Sequence, residues 1–159
     1  MENKFIALDP SGNFHEGKGK TGWAVFENKE LISFGAVNSK EYETQEEYWS
    51  AVTKLTVGFT LIVCESYKLQ PTKSMAQSWS TLETPQLIGV IRMFAYNQGS
   101  KVVFQDPSSK IRFSDDILVK NGFLEKKNAL YLCHGVKTND HMRDAIRHGL
   151  FFIKFGKLG

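Results

Sequence analysis

The sequence predicts an α/β domain with a mixed sheet, and three observations carry that prediction. Strand signals follow one another near the N-terminus with only turns between them, as an antiparallel meander requires. "FTLIVCES" is an unbroken apolar run of strand length, the pattern of a central parallel strand buried on both faces. Segments of helical period separate that run from the strands before and after it, as parallel crossovers need.

Each element is justified in turn. "KFIALDPSG" is an apolar run ending in Asp9, where Pro10 and Gly12 stop the strand and start a turn. After the Gly/Lys-rich stretch "NFHEGKGK", "TGWAVFENKELISFGAV" reads as two strands joined by a turn at Asn28-Lys29. "TQEEYWSAVTKLTV" places Tyr48, Ala51, Val52 and Leu55 at helical spacing, and the fourth strand follows, with Glu65 where it emerges. Residues 66–83 are polar and mixed, read as a loop with a short helix. A helix then starts with Thr84 as N-cap and Pro85 as its first residue, and ends at Gly99. "KVVFQD" is a fifth strand, and "PSSKIRFSDDILVKNG" holds a Pro-Ser turn and a short helix closed by Gly122. After a variable segment, "NDHMRDAIRHGLFF" is the last helix.

Composition bounds the function. With 159 residues, 42% of them hydrophobic and 13% aromatic, the chain suits one globular domain over 1–159, neither disordered nor a repeat array. No apolar stretch is long enough to span a membrane and no signal-peptide pattern opens the chain, so the expected location is the cytoplasm. Cys64 and Cys133 lack metal-ligand spacing and read as reduced packing residues. The net charge of +3 is uneven: residues 101–159 hold eleven Lys/Arg against six Asp/Glu, which is compatible with a polyanionic partner.

The last helix raises the functional question. At about 100° per residue, Asp140, Asp144, His148 and His141 share one arc of about 100°, while Met142, Ala145, Ile146, Gly149, Leu150 and Ile153 take the other side. Asp140 and Asp144 are a like-charge i, i+4 pair, which costs a few tenths of a kcal/mol unless something offsets it. Arg143 and Arg147 are one candidate, leaving two solvated aspartates; a divalent cation is the other. Asp9 and Glu65 bear on the choice, because parallel central strands deliver their C-terminal ends to one edge of the sheet. A helix packed there by its apolar face brings Asp144 to the same point. Hard oxygen ligands with one imidazole suit Mg²⁺ or Mn²⁺, and paired ions of that kind can drive phosphodiester hydrolysis.

At these residues a resemblance emerges. "FIALDPSG…TGWAVF", "LIVCES" and "HMRDAIRHG" resemble the three catalytic blocks of the RuvC family of Holliday-junction resolvases, in the ribonuclease H-like superfamily, and the size is similar to that of a phage-type member. The resemblance implies a central mixed five-stranded sheet, three antiparallel strands then two parallel, flanked by helices. It implies a metal-dependent DNA endonuclease that nicks four-way junctions or other branched DNA such as forks symmetrically as a homodimer in a bacterial, or phage-infected, cytoplasm. Asp9, Glu65 and Asp144 take the places of the carboxylates. His141 takes a position that is Asp or His in relatives, with Asp140 as a further ligand or outer partner. The implied dimer helix is residues 84–98, whose Leu87, Ile88, Ile91, Met93, Phe94 and Tyr96 cover more than one face. Lys110 in "DPSSKIRF" resembles a family lysine near the scissile phosphate, with Arg112 and Lys120 as neighbours. Where relatives place a base-stacking aromatic three residues after the second acid, this chain has Lys68, with Tyr67 one position earlier.

"GNFHEGKGKTG" has a superficial P-loop spacing, but Gly19 occupies the Ser/Thr position and a strand signal follows. It reads better as a mobile loop beside the first carboxylate, presenting Lys18 and Lys20 to a nucleic-acid backbone. A sugar-kinase or actin-like ATPase needs two lobes and this chain has length for one. A ribonuclease of the same superfamily acting on structured RNA, and a non-catalytic binder of branched nucleic acid, stay open as alternatives.

Overall fold

A computed structural model describes residues 3–68 and 82–156. The strands of the main sheet are β1 (Lys4–Asp9), β2 (Lys20–Glu27), β3 (Glu30–Asn38), β4 (Leu61–Glu65) and β5 (Lys101–Gln105). Their spatial order is β3-β2-β1-β4-β5, antiparallel from β3 through β1 and parallel from β1 through β5. The sheet is therefore the mixed one that the sequence predicts. The β2–β3 hairpin turns at Asn28 and Lys29, both at positive φ, as a two-residue turn matched to strand twist requires.

Among the described residues four α-helices flank the strands: α1 (Gln45–Lys54), α2 (Glu83–Asn97), α3 (Asp115–Lys120) and α4 (Asp140–Phe155). Alternation along each strand sorts the core into two layers. Ile6, Leu8, Ile62 and Cys64 pack with Tyr48 and Val52 of α1 and Leu87, Ile91 and Ala95 of α2. Phe5, Ala7, Leu61 and Val63 face the other way and pack with Ala145, Ile146, Leu150 and Phe152 of α4. The sheet is thus sandwiched between helical layers. No helix among the described residues is long and apolar enough to cross a membrane.

Two elements differ from the sequence expectation. α2 begins at Glu83 rather than after Thr84; its N-cap is Leu82 at φ 48, and the Thr84 hydroxyl instead accepts from the amide of Gly12 at 2.9 Å. The stretch left as a variable segment forms a small meander, β6 (Glu125–Lys127), β7 (Leu130–Cys133) and β8 (Val136–Lys137). The short helix expected within residues 66–83 falls mostly on 69–81, outside the described residues.

Candidate active site

Strand parity brings the site together. On β1 the residues facing α4 are Phe5, Ala7 and then Asp9; on β4 they are Leu61, Val63 and then Glu65. Both strands run the same way, so both carboxylates emerge at the same end, on the same face, under α4. Asn139 caps α4, its side chain accepting from Met142 N at 2.9 Å, and this sets the first turn that displays His141 and Asp144. A short 3-10 segment, Pro107–Arg112, capped by Asp106, brings Lys110 in from the end of β5.

The contacts close the cluster. His141 Nδ1 lies 3.3 Å from Asp9 Oδ2. The Lys110 ammonium donates to Glu65 Oε1 at 3.3 Å and to Asp144 Oδ2 at 3.2 Å, bridging the two carboxylates. Asp144 Oδ1 accepts from Arg147 Nη1 at 2.7 Å, and Arg147 is itself held by Asp115 and by the carbonyl of Phe113. Glu65 Oε2 lies 3.0 Å from Nε2 of His148, whose Nδ1 lies 2.9 Å from Gln105 Oε1.

Charge and burial set the protonation. Burial is the main force pushing the Asp9 carboxyl up, to about 7, and the neighbouring Glu65 and Asp144 charges add to it. Glu65 goes the other way: burial opposes its ionisation, but the hydrogen bond from His148 and the shared contact with Asp9 hold it below the usual carboxylate range. His141 is raised, chiefly by its bond to Asp9. Lys110 is raised as well; its burial alone would lower it, and Glu65 and Asp144 more than offset that.

Asp140 stands apart from this cluster. Its side chain is 87% exposed and pairs with Arg143, which is anchored in turn on Thr138. The like-charge pair on α4 is thus relieved by two i, i+3 arginine partners, Arg143 for Asp140 and Arg147 for Asp144. Of the expected basic and aromatic set, Lys110 alone touches the acids. Tyr67 and Lys68 line a groove of about 600 Å³ that also takes in Glu65, Thr84, Ile88 and Lys110. Lys68 pairs with Asp106 at 3.7 Å, and Arg112 lies over the Phe155 ring at 5.1 Å. Lys120 is exposed at the end of α3, and Lys18 is exposed and 3.6 Å from Glu16. Lys20 opens β2.

The loop after β1, expected to be mobile, is tied at its start to α1 and α2. Gly12 packs so closely on the start of α2 that a Cβ there would sit 2.3 Å from the Glu83 carbonyl carbon. His15 pairs with the buried Glu83, and the Tyr48 hydroxyl donates to Ser11 O at 2.6 Å. His148 carried a sequence signal through its place on the polar arc. Gln105, Asp115 and Glu83 carried none. A second hollow of about 610 Å³ at the opposite end of the strands, lined by Lys4, Glu27, Asn28 and Phe59, gathers no carboxylate cluster.

Among the described residues no three acidic or histidine side chains are set as ligands of a single ion. The donor chemistry nevertheless fits a hard divalent cation: three carboxylates and an imidazole lie at one sheet edge, linked through Lys110 and the His141–Asp9 contact, Asp9 keeps a proton near neutrality, and an ammonium stands where positive charge is demanded.

The sequence matches no family model and no curated protein sequence. The structure does have neighbours. RuvC of Thermus thermophilus in complex with a Holliday junction substrate aligns with a TM-score of 0.66 at 15% identity, over 97% of this chain and 96% of that one. A second Thermus thermophilus RuvC structure aligns at 0.58 and 15% identity, over 96% of each chain. The Fowlpox virus resolvase bound to Holliday junction DNA aligns at 0.56 and 14% identity, over 95% of this chain and 97% of that one. The chain therefore has the ribonuclease H-like fold of the RuvC resolvases, nearly end to end.

Proposed function

We propose that the protein is a divalent-metal-dependent endonuclease that hydrolyses phosphodiester bonds in branched DNA, four-way junctions foremost, and acts as a homodimer. The observation that carries this reading is the clustering of Asp9, Glu65 and Asp144, from two parallel strand ends and one helix, at one edge of the sheet, with Lys110 bridging Glu65 and Asp144. Neighbours of the same fold bound to Holliday junctions support the choice of substrate.

Asp9, Glu65 and Asp144, with His141, would hold Mg²⁺, or Mn²⁺ in its place. When bound, such ions supply an activated water and stabilise the leaving oxygen of an in-line displacement. The chain's own residues do the rest. With such an ion held there, Asp9 would carry no proton, and the Lys110 ammonium would be free to face the scissile phosphate as a fixed positive charge. Arg147 keeps Asp144 turned toward the cluster. In the reaction the oxygen of water bonds to phosphorus, one P–O ester bond breaks, and the departing oxygen leaves as a hydroxyl. Tyr67, in the groove beside Glu65, offers a face on which an unpaired base can stack. Lys68, Arg112, Lys120, Lys18 and Lys20 serve phosphates farther out.

The test is a panel of synthetic four-way, forked, duplex and structured-RNA substrates, with and without Mg²⁺ or Mn²⁺. The expected result is metal-dependent nicking of branched DNA, with Asp144→Asn binding junctions as the parent does while cutting nothing. Cleavage of the RNA alone would replace DNA as the substrate. Metal-independent cutting, or an Asp144→Asn protein that cuts at the parental rate, would overturn the assignment.

A further inference from the structure

One wholly buried imidazole beside the site belongs to no ligand set. His148 is wholly buried, yet both its ring nitrogens are engaged, by Glu65 on one side and Gln105 on the other. Sheet register explains how one ring reaches both. Glu65 and Gln105 are direct partners on the parallel strands β4 and β5, so their side chains stand next to each other on the face that α4 covers. His148 lies one helical turn beyond Asp144 on α4, and its ring spans the pair from above.

We infer that His148, backed by Gln105, is a positioning residue that fixes the rotamer of Glu65 and presents one chosen oxygen of its carboxylate to the catalytic ion. A glutamate at a strand end has three side-chain torsions to lose. The contact at 3.0 Å engages Oε2 and leaves Oε1 facing Lys110 and the cluster. Glu65 is an acceptor, so the ring must donate from Nε2. A neutral ring does so when the Gln105 amide turns its NH₂ to Nδ1, and a doubly protonated ring does so with the Gln105 carbonyl oxygen there. Gln105 serves either form, and Glu65 is gripped at the same atom in both. The arrangement also couples two ligands through one helix, since α4 carries Asp144 toward the cluster and the clamp on Glu65 one turn later. Outer partners of this kind orient ligands that are otherwise free to rotate.

This inference rests on the metal-dependent reading above, and its test separates the two. Mn²⁺ binding by calorimetry on the DNA-free protein is the primary readout, with junction nicking as the second. His148→Leu is expected to weaken Mn²⁺ binding and to lower kcat by about 10- to 100-fold, with KM for the junction unchanged. His148→Gln, which keeps a donor, should recover part of both. In a Glu65→Gln background His148→Leu should change Mn²⁺ affinity no further, because the effect runs through that carboxylate. Where His148→Leu fails to fold, Gln105→Leu decides: a weaker Mn²⁺ affinity upholds the relay, and parental affinity overturns it. A folded His148→Leu that binds Mn²⁺ and nicks like the parent refutes the inference while leaving the catalytic reading intact. A parent that binds no Mn²⁺ and cuts nothing refutes both.

Discussion

Asp9 holds a proton near neutral pH because it is buried among other carboxylates, and that proton competes with any cation. Mn²⁺ affinity should therefore rise by at least about tenfold per pH unit below about 7 and level off only once His141, also shifted upward, has lost its proton, with proton uptake by the buffer on binding. The same shift fixes the sign for the metal-free protein. A carboxyl raised from 3.8 to about 7 contributes stability that is full below its unfolded value and is lost as the pH rises through the folded one. Glu65 is shifted downward, so its contribution is lost only in stronger acid, and His141, shifted upward from 6.5, titrates above most of the Asp9 window. Tm measured across that window should fall in the parent and stay flatter in Asp9→Asn; a Mn²⁺ affinity independent of pH would remove the proton from the account. The meeting of Asp9, Glu65 and Asp144 was legible in the sequence, because strand ends and helix angle both constrain where a side chain emerges. The role of His148 was not. A helical angle separates polar from apolar faces, but it does not tell a side chain in solvent from one pressed on a buried acid. Gln105 was silent for a simpler reason, since a neutral amide closing a strand resembles any turn residue.

At the scale of elements, the site depends on how closely the first turn of α4 approaches β2. Gly22 is the partner of Asp9 across the β1–β2 ladder, and a Cβ on it would lie 2.0 Å from the carbonyl oxygen of His141. That neighbour is backbone, so Gly22→Ala must push the helix outward and carry His141 and Asp144 away from Asp9. The expected stability loss is about 1–3 kcal/mol, read as a lower Tm. Nicking and Mn²⁺ binding should drop further than the stability loss accounts for. An alanine variant with parental Mn²⁺ affinity would show that the helix position does not govern the cluster. Long strands and periodic helices were readable from apolar spacing, including the turn at Asn28 and Lys29. The β6–β8 meander was not, because its strands have two to four residues and mostly exposed side chains, too short to display alternation. The start of α2 was misplaced by a tertiary effect: the Thr84 hydroxyl that would cap the helix serves the amide of Gly12 instead.

For the whole molecule, the proposed paired nicking raises the question of how one site per chain could cut two strands. α2 buries Leu87, Ile91 and Ala95 against the sheet, yet its outer side leaves Met93 56% and Tyr96 74% exposed, with Ile88 and Phe94 half-buried between. The wide apolar surface expected from the sequence is therefore divided, one part facing the core and the other facing outward. A second copy packed on the outward part would bury these side chains and place two clusters in one particle, as symmetric nicking of a four-way junction demands. Substituting both Met93 and Tyr96 by Glu should leave the monomer fold within about 0.5 kcal/mol of the parent, as exposed positions usually do. It should shift sedimentation from dimer to monomer. On a supercoiled plasmid that extrudes a cruciform, the parent should give linear product from paired nicks, whereas the double variant should accumulate nicked circles because each cut becomes an independent event. Linear product at the parental rate from a protein that sediments as a monomer would separate paired cutting from this face of α2 altogether.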